Sequence, residues 1–279
     1  MALVSSPSAE ETDLAAAMRD GRNAPLFNRA TQGLYPPGSV FKAFVAALAV
    51  QQGRARPYDC PAEGWSVAAN TPRIRDTHKH AAGEARLDLG TAFAESSNIW
   101  FAKAARACGW AAFHTAAQKA GLEEGFTLAA CGERAMETAA GQVPDLSQRP
   151  NQLAYVGFGQ GELLLTPMHV AALTAAIAND GVLAPPHVGP GVDETPRRVW
   201  PADVAELVRH LMRRSVERGT SRGVALSGLE ICGKTGTAET SGRDHAWFTC
   251  FAPAEKPEIV VTVLVEHGGF GAQSALPIA

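Results

Sequence analysis

The spacing of apolar and polar positions changes partway along the chain, and that change separates two kinds of element. From Ser39 to Gln52, apolar residues at 41, 44, 45, 48 and 49 fall on one helical stripe, which predicts a largely buried helix. Pro36, Pro37 and Gly38 force a turn before it, Ser39 starts it and Gly53 closes it. Further helices are expected near Leu87–Glu95, from about Ile99 to Cys108 after a break at Ser96-Ser97-Asn98, and over Trp110–Ala120 between two glycines. Tyr155–Gly161 reads as a glycine-rich turn. It leads to Thr166-Pro167, a cap and first-turn proline, and a helix ending at Asn179-Asp180-Gly181. An amphipathic helix follows over about Pro201–Glu217. Leu229–Thr237, Ala246–Ala252 and Ile259–Glu266 are β-branched and aromatic runs with short connections, which predicts consecutive antiparallel strands. Leu3-Val4 reads as the tail of a strand, the segment to about Asp20 as polar chain, and Asn23–Gly38 as loop. Residues 54–86 read as irregular and 121–151 as loop-rich. No internal repeat or low-complexity tract interrupts this order.

Composition narrows the class. The 279 residues, 46% hydrophobic and 19% charged, suffice for one large domain or two small ones with a sizeable core. A net charge of -3 without a basic run argues against nucleic acid as a partner. No run approaches ~20 apolar residues, and the first residues carry no positive segment, so neither a membrane span nor a signal peptide is expected in a soluble chain. The five cysteines (60, 108, 131, 232, 250) form no CxxC pair and are odd in number, which fits neither a zinc site nor a disulfide framework. Cys232 and Cys250 lie in strand-like runs and read as buried free thiols. His78 and His80 with Cys60 do not amount to a metal site, because the loop is irregular and lacks a fourth ligand. No cofactor or metal is expected.

Three short motifs carry candidate chemistry. Ser39 and Lys42 lie one turn apart at the amino end of a buried helix, so hydroxyl and amine share a face. That is a way to build a serine nucleophile without histidine, and the helix dipole favours negative charge there. A helix cap followed by a solvated lysine is the plain alternative. Ser96-Ser97-Asn98, between helices, could turn a hydroxyl and an amide to a cleft, or simply cap a helix. Lys234-Thr235-Gly236-Thr237 lies on the first late strand. Gly236 there leaves room for a ligand against the strand, and a lysine with two hydroxyls suits a carboxylate-bearing substrate. A strand end entering a turn would read the same way.

In this order, Ser-x-x-Lys, Ser-x-Asn and Lys-Thr-Gly resemble the transpeptidase domain of penicillin-binding proteins, of the monofunctional class B type. The resemblance covers nearly the whole chain. It includes Leu34–Lys42, Asn28-Arg29-Ala30-Thr31, Gly157–Gly161 through Thr166-Pro167, and Gly233–Glu239 followed by His245-Ala246-Trp247-Phe248. It implies an α/β (α+β) fold in which an antiparallel sheet is flanked by helices beside a mostly helical subdomain, with the active site between them. The sheet part would span about 1–35 and 220–279, the helical part about 36–219.

The resemblance also implies roles. Ser39 would attack the carbonyl of a terminal D-Ala-D-Ala bond and Lys42 would be its general base. Ser96 would relay a proton to the leaving group, and Asn98 would hold Lys42 and the substrate amide. Lys234, Thr235 and Thr237, with Gly236 between them, would orient the substrate. The backbone N–H groups of Ser39 and Thr237 would form the oxyanion hole. As a base Lys42 must be neutral, which burial and the neighbouring Lys234 both favour. Expected ligands are peptidoglycan stem peptides and β-lactam antibiotics. The parent would be held by an anchor on the outer face of the cytoplasmic membrane, among cell-wall synthesis partners. Alternatives on the same fold are a D,D-carboxypeptidase, a β-lactamase and a β-lactam sensor. No Glu-x-x-Leu-Asn pattern is present to supply a deacylating base. Against the family pattern, the chain starts at what resembles the second half of a first strand and stops where a closing helix belongs. It is therefore expected to be trimmed, or to leave a sheet face exposed. His245 and Trp247 are expected to pack the sheet rather than touch substrate.

Overall fold

The computed structural model describes residues 2–8, 14–21, 23–77, 86–131, 134–189, 192, 195–223 and 228–279; His78 and His80 lie outside them. Short helices α1 (Leu14–Arg19) and α2 (Arg29–Gln32) precede a 3-10 turn (Gly38–Phe41) and helix α3 (Lys42–Gln51). The pair β1 (Tyr58–Asp59) and β2 (Arg86–Leu87) leads to α4 (Leu89–Ala94), α5 (Asn98–Cys108) and α6 (Trp110–Lys119). A hairpin of β3 (Thr127–Cys131) and β4 (Arg134–Glu137) is followed by α7 (Leu153–Val156) and α8 (Pro167–Ala178). The pair β5 (Val182–Leu183) and β6 (Arg197–Arg198) then precedes the long helix α9 (Ala202–Arg218). The chain ends in β7 (Cys232–Ala238), β8 (His245–Ala252), β9 (Ile259–Val265) and the single turn α10 (Gly271–Ser274). Among the described residues no helix is long and apolar enough to cross a membrane.

Helix α3 is the centre of the packing. Residues 43–49 are buried on every side, not only along the predicted stripe. Alanines at 43, 46, 47 and 49 have no bulk to hold neighbours off, so α4, α5, α6 and α9 close round it. Phe41 stacks on Phe44 with 4.8 Å between ring centroids, and Phe44 meets Phe113 and Trp200 edge-on at 5.6 and 6.1 Å.

The late strands form an antiparallel sheet in the order β7-β8-β9, with Lys234 opposite Thr249 and Trp247 opposite Leu264. Strand β8 is buried throughout because both its faces are covered. Trp247 and Phe251 join clusters shared with the helices, while Ala246, Phe248 and Cys250 pack with Ala275 and Leu276 beyond α10. Thr249 bridges Thr174 of α8 and Thr262 of β9 through hydroxyl contacts of 2.8 Å each. Cys60, Cys232 and Cys250 are buried free thiols, and Cys108 is a partly buried one.

Several predicted segments differ. Leu3-Val4 is not in a strand; the ladder ends at β9, and the chain is tied down at Ser5, whose hydroxyl accepts from Arg29 N at 3.0 Å. The stretch read as polar holds α1, and the 23–38 loop holds α2, capped by the Asn28 side chain on the N–H groups of Ala30 and Thr31. The loop-rich region contains the β3–β4 hairpin. Strand β4 is exposed at every position, so it lacks the alternation that would have marked it.

Candidate active site

The turn that carries Ser39 is held on three sides. Tyr35 pairs with Leu165 through N–H···O contacts of 3.0 and 2.9 Å, Gly38 N–H donates to Gly159 O at 2.8 Å, and the Trp247 indole donates to Pro36 O at 3.0 Å. Gly38 has φ +55, and a Cβ there would lie 2.6 Å from Thr237 O. The turn is therefore pressed onto β7. The helix begins as a 3-10 turn without a side-chain cap, so the Ser39 hydroxyl is not used as one, contrary to the helix-starting role predicted for it. Lys42 follows one turn after Ser39, its backbone N–H donating to Ser39 O. Ser39 is half-buried at the cleft wall and Lys42 is 0% exposed.

The Lys42 amine contacts Ser96 O at 2.7 Å, Asn98 Oδ1 at 2.7 Å and Ser96 Oγ at 3.1 Å. Its carbonyl and amide-oxygen partners only accept, so they fix two N–H groups. The third position faces the Ser96 hydroxyl. On the other side of that hydroxyl, the Lys234 amine lies at 3.0 Å and also donates to Thr235 O at 3.0 Å. Lys234 is 0% exposed as well. Burial, and then the nearby Lys234 charge, hold the Lys42 amine well below the usual lysine range. Burial alone brings Lys234 down to about 7. Two buried amines thus share one hydroxyl, an arrangement that does not tolerate both being charged.

The backbone explains how Ser96 gets there. Helix α4 ends in a Schellman motif: Ser97 N–H donates to Ala92 O at 2.8 Å and Ser96 N–H to Phe93 O at 3.2 Å. Ser96 occupies the left-handed position with φ +59, where glycine is the default. Ser97 immediately caps α5, its hydroxyl accepting from Trp100 N–H at 3.1 Å. The cap alternative weighed for Ser-Ser-Asn is correct for Ser97, while Ser96 and Asn98 turn to Lys42.

Strand β7 has an open edge. Thr235 N–H donates to Ser221 Oγ at 3.1 Å, away from β8, so by strand alternation Thr237 also directs its N–H and C=O to that edge. The Thr235 hydroxyl donates to Thr220 Oγ1 at 3.0 Å. Gly236 makes room for protein rather than ligand: a Cβ there would lie 3.0 Å from both Val40 Cγ1 and Trp247 Cβ. That corrects the sequence reading of this glycine. A cleft of about 830 Å³ runs past Ser39, Ser96, Asn98, Thr235, Gly236 and Thr237. Lys234 lies under it. Trp247 and His245 are buried, and the His245 ring stands edge-on to Tyr35 at 5.4 Å. Sequence reasoning missed Asp76, Thr220 and Ser221. Only Thr220-Ser221, two hydroxyls just past the end of α9, gave a usable signal. Among the described residues no group of three His, Cys, Asp or Glu could hold a metal ion.

The family model described as the penicillin binding protein transpeptidase domain matches residues 1–279. Peptidoglycan D,D-transpeptidase PbpA of Mycolicibacterium smegmatis is 33% identical over 300 residues, a match covering 96% of this chain and 60% of that protein. Peptidoglycan D,D-transpeptidase MrdA of Haemophilus influenzae is 30% identical over 306 residues, covering 91% and 44%. This chain therefore spans between two fifths and two thirds of the length of these relatives. Among solved structures, the ceftriaxone acyl-enzyme complex of penicillin-binding protein A from M. tuberculosis superposes with TM-score 0.86 at 28% identity, covering 100% of this chain and 69% of that one. PBP2 of Pseudomonas aeruginosa in complex with WCK 5153 gives TM-score 0.84 at 31% identity, covering 99% and 68%.

Proposed function

The chain belongs to the penicillin-binding protein transpeptidase domain family, and we propose that it cross-links peptidoglycan stem peptides through an acyl-enzyme on Ser39. One observation carries the reading: the Ser96 hydroxyl lies between the buried amines of Lys42 and Lys234, and lines the same cleft as Ser39. In this reading Ser39 Oγ attacks the carbonyl carbon of a terminal D-Ala-D-Ala bond while its proton passes to the neutral Lys42 amine. The carbonyl oxygen takes the negative charge between the N–H groups of Ser39 and Thr237, at a helix start and an open strand edge. The C–N bond then breaks. The departing D-alanine nitrogen takes a proton from the Ser96 hydroxyl, which Lys42 replaces. An amino group of a second stem peptide attacks the ester, the new amide forms, and Ser39 regains its proton.

Neutral Lys42 suits this chemistry because its two N–H groups are committed to Ser96 O and Asn98 Oδ1, leaving the lone pair for a hydroxyl. The carboxylates lining the cleft are Glu95, Glu239 and Asp244. A long-lived acyl-enzyme rather than rapid hydrolysis is expected, because the chain has no Glu-x-x-Leu-Asn pattern to supply a deacylating base. The parent protein would act outside the cytoplasm on a membrane anchor with cell-wall synthesis partners, where stem peptides are displayed.

Incubation with benzylpenicillin should give one adduct per chain by intact mass and none for Ser39→Ala. An adduct on Ser39→Ala would overturn the assignment. A peptide ending in D-Ala-D-Ala, offered with an amine acceptor, should yield the amide product. Free acid alone would indicate a carboxypeptidase, and fast turnover of a chromogenic cephalosporin a β-lactamase.

A further inference from the structure

The Lys42 amine is faced by Lys234 from β7, by Ser96 and Asn98 from the α4–α5 junction, and by the Phe101 ring, 5.6 Å from its centroid. One loop stands behind that junction. Arg75 O accepts from Asn98 Nδ2 at 3.0 Å, and since a carbonyl only accepts, the amide must turn its oxygen to Lys42. The next residue binds the same turn twice. Asp76 Oδ1 accepts from Ile99 N–H at 2.9 Å and Asp76 Oδ2 from the Ser97 hydroxyl at 2.8 Å. A half-buried carboxylate therefore sits at the amino end of the helix that begins with Asn98, where the dipole favours an anion.

We propose that Asp76 is a positioning residue for the base: it clamps the Ser96–Asn98 segment onto the Lys42 amine and supplies an anionic counter-charge to Lys42. The inference rests on the reading of Lys42 as base. Two independent features support it. The two hydrogen bonds fall on residues flanking Asn98, so the clamp acts where the amide of Asn98 is aimed. The Asp76 charge also opposes the lowering of Lys42 by burial and by Lys234. Around Asp76 itself, the Ser97 hydroxyl and the Cys60 thiol are close, with Lys103 and Asp59 farther out around Cys60. Without the anion, Lys42 would be neutral over a wider pH range but a weaker proton acceptor.

Asp76→Asn is nearly isosteric and keeps an acceptor for Ile99 N–H while removing the charge. The acylation rate by benzylpenicillin should be followed against pH for the wild type, Asp76→Asn and Lys42→Arg. The acid limb of Asp76→Asn should move to lower pH by about half a unit or more. Its saturating rate should fall several-fold, with little change in the concentration giving half-maximal rate. A direct titration of Lys42 by NMR of labelled lysine should show the same downward shift, and can be read on folded protein even if the variant melts earlier. An unmoved limb and an unmoved Lys42 titration, with Lys42→Arg inactive, would leave Asp76 as a helix cap and overturn this inference alone. Lys42→Arg acylating near the wild-type rate would instead remove the base reading, and this inference with it.

Discussion

On backbone grounds a glycine belongs at position 96. The residue sits at the left-handed end of a Schellman motif, and a side chain there costs about 1 kcal/mol relative to glycine. Serine persists where its hydroxyl is wedged between two amines, which is strain held at a chemical centre. Ser96→Gly and Ser96→Ala should therefore lose acylation alike, by about 10²–10⁴-fold if the hydroxyl relays the proton. Both lose the same hydrogen bonds, yet the glycine variant should be more stable by about 1 kcal/mol in denaturant titrations. Equal stability would mean that the turn carries no strain. The sign of the Lys234 effect is a second test at this scale. Its charge lowers Lys42, so Lys234→Gln should raise the pKa of Lys42 and, with Lys42 as the proposed base, move the acid limb of acylation to higher pH. That is opposite to the shift expected of Asp76→Asn. A limb that moves down in both variants would rule out simple charge coupling.

Between elements, the site depends on close backbone approaches that only glycines permit. A Cβ on Gly159 would run into Gly38 O, and one on Gly38 would meet Thr237 O, so α7's trailing turn, the 3-10 turn and β7 are stacked backbone on backbone. Gly159→Ala should cost about 2–4 kcal/mol through positive φ and overpacking, and should slow acylation by displacing Ser39. Gly53→Ala, also at positive φ but with nothing within 4 Å of its Cβ, should cost only about 1 kcal/mol and leave acylation unchanged. Denaturation and penicillin-binding assays on the two variants decide it, and similar losses in both would refute the stacking argument. These approaches mark the limit of the sequence. Helices α3, α5, α6, α8 and α9 and strands β7–β9 were legible from apolar stripes, caps and bounding glycines, and from β-branched and aromatic runs. The motifs placed Ser39 one turn before Lys42 and Lys234 on β7. Nothing local to Gly236 says that Val40, almost two hundred residues away, occupies the space it leaves. Asp76 was likewise invisible, because an isolated carboxylate in an irregular loop carries no pattern until α5 is folded against it.

For the whole molecule, the two buried lysines set the sign of the dependence of stability on pH. A lysine whose folded pKa is lowered binds fewer protons folded than unfolded, so stability rises with pH between its folded and unfolded values. For Lys234 that window runs from about 7 up to the ordinary lysine value of 10.5, and Lys42, also well below that value, contributes in the same direction. Each contributes at most about 1.4 kcal/mol per pH unit inside its window. His169 and His245, also lowered chiefly by burial, add to the rise only below their ordinary range near 6.5. The buried thiols act the other way. Cys60, Cys108 and Cys250 are pushed up to about 11 and Cys232 to about 12, so the unfolded chain loses those protons first and stability falls above about pH 8.5. Tyr35, raised by burial and its bond to Glu266, opposes still higher pH. Stability in urea should therefore climb from pH 6.5 to about 8.5 and then level or decline. In a Lys42→Met, Lys234→Met variant the climb should be lost while the decline above pH 8.5 remains. If the double variant keeps the wild-type slope between pH 7 and 8.5, the two amines are solvated in the folded protein. The shared-hydroxyl site could then not keep Lys42 neutral.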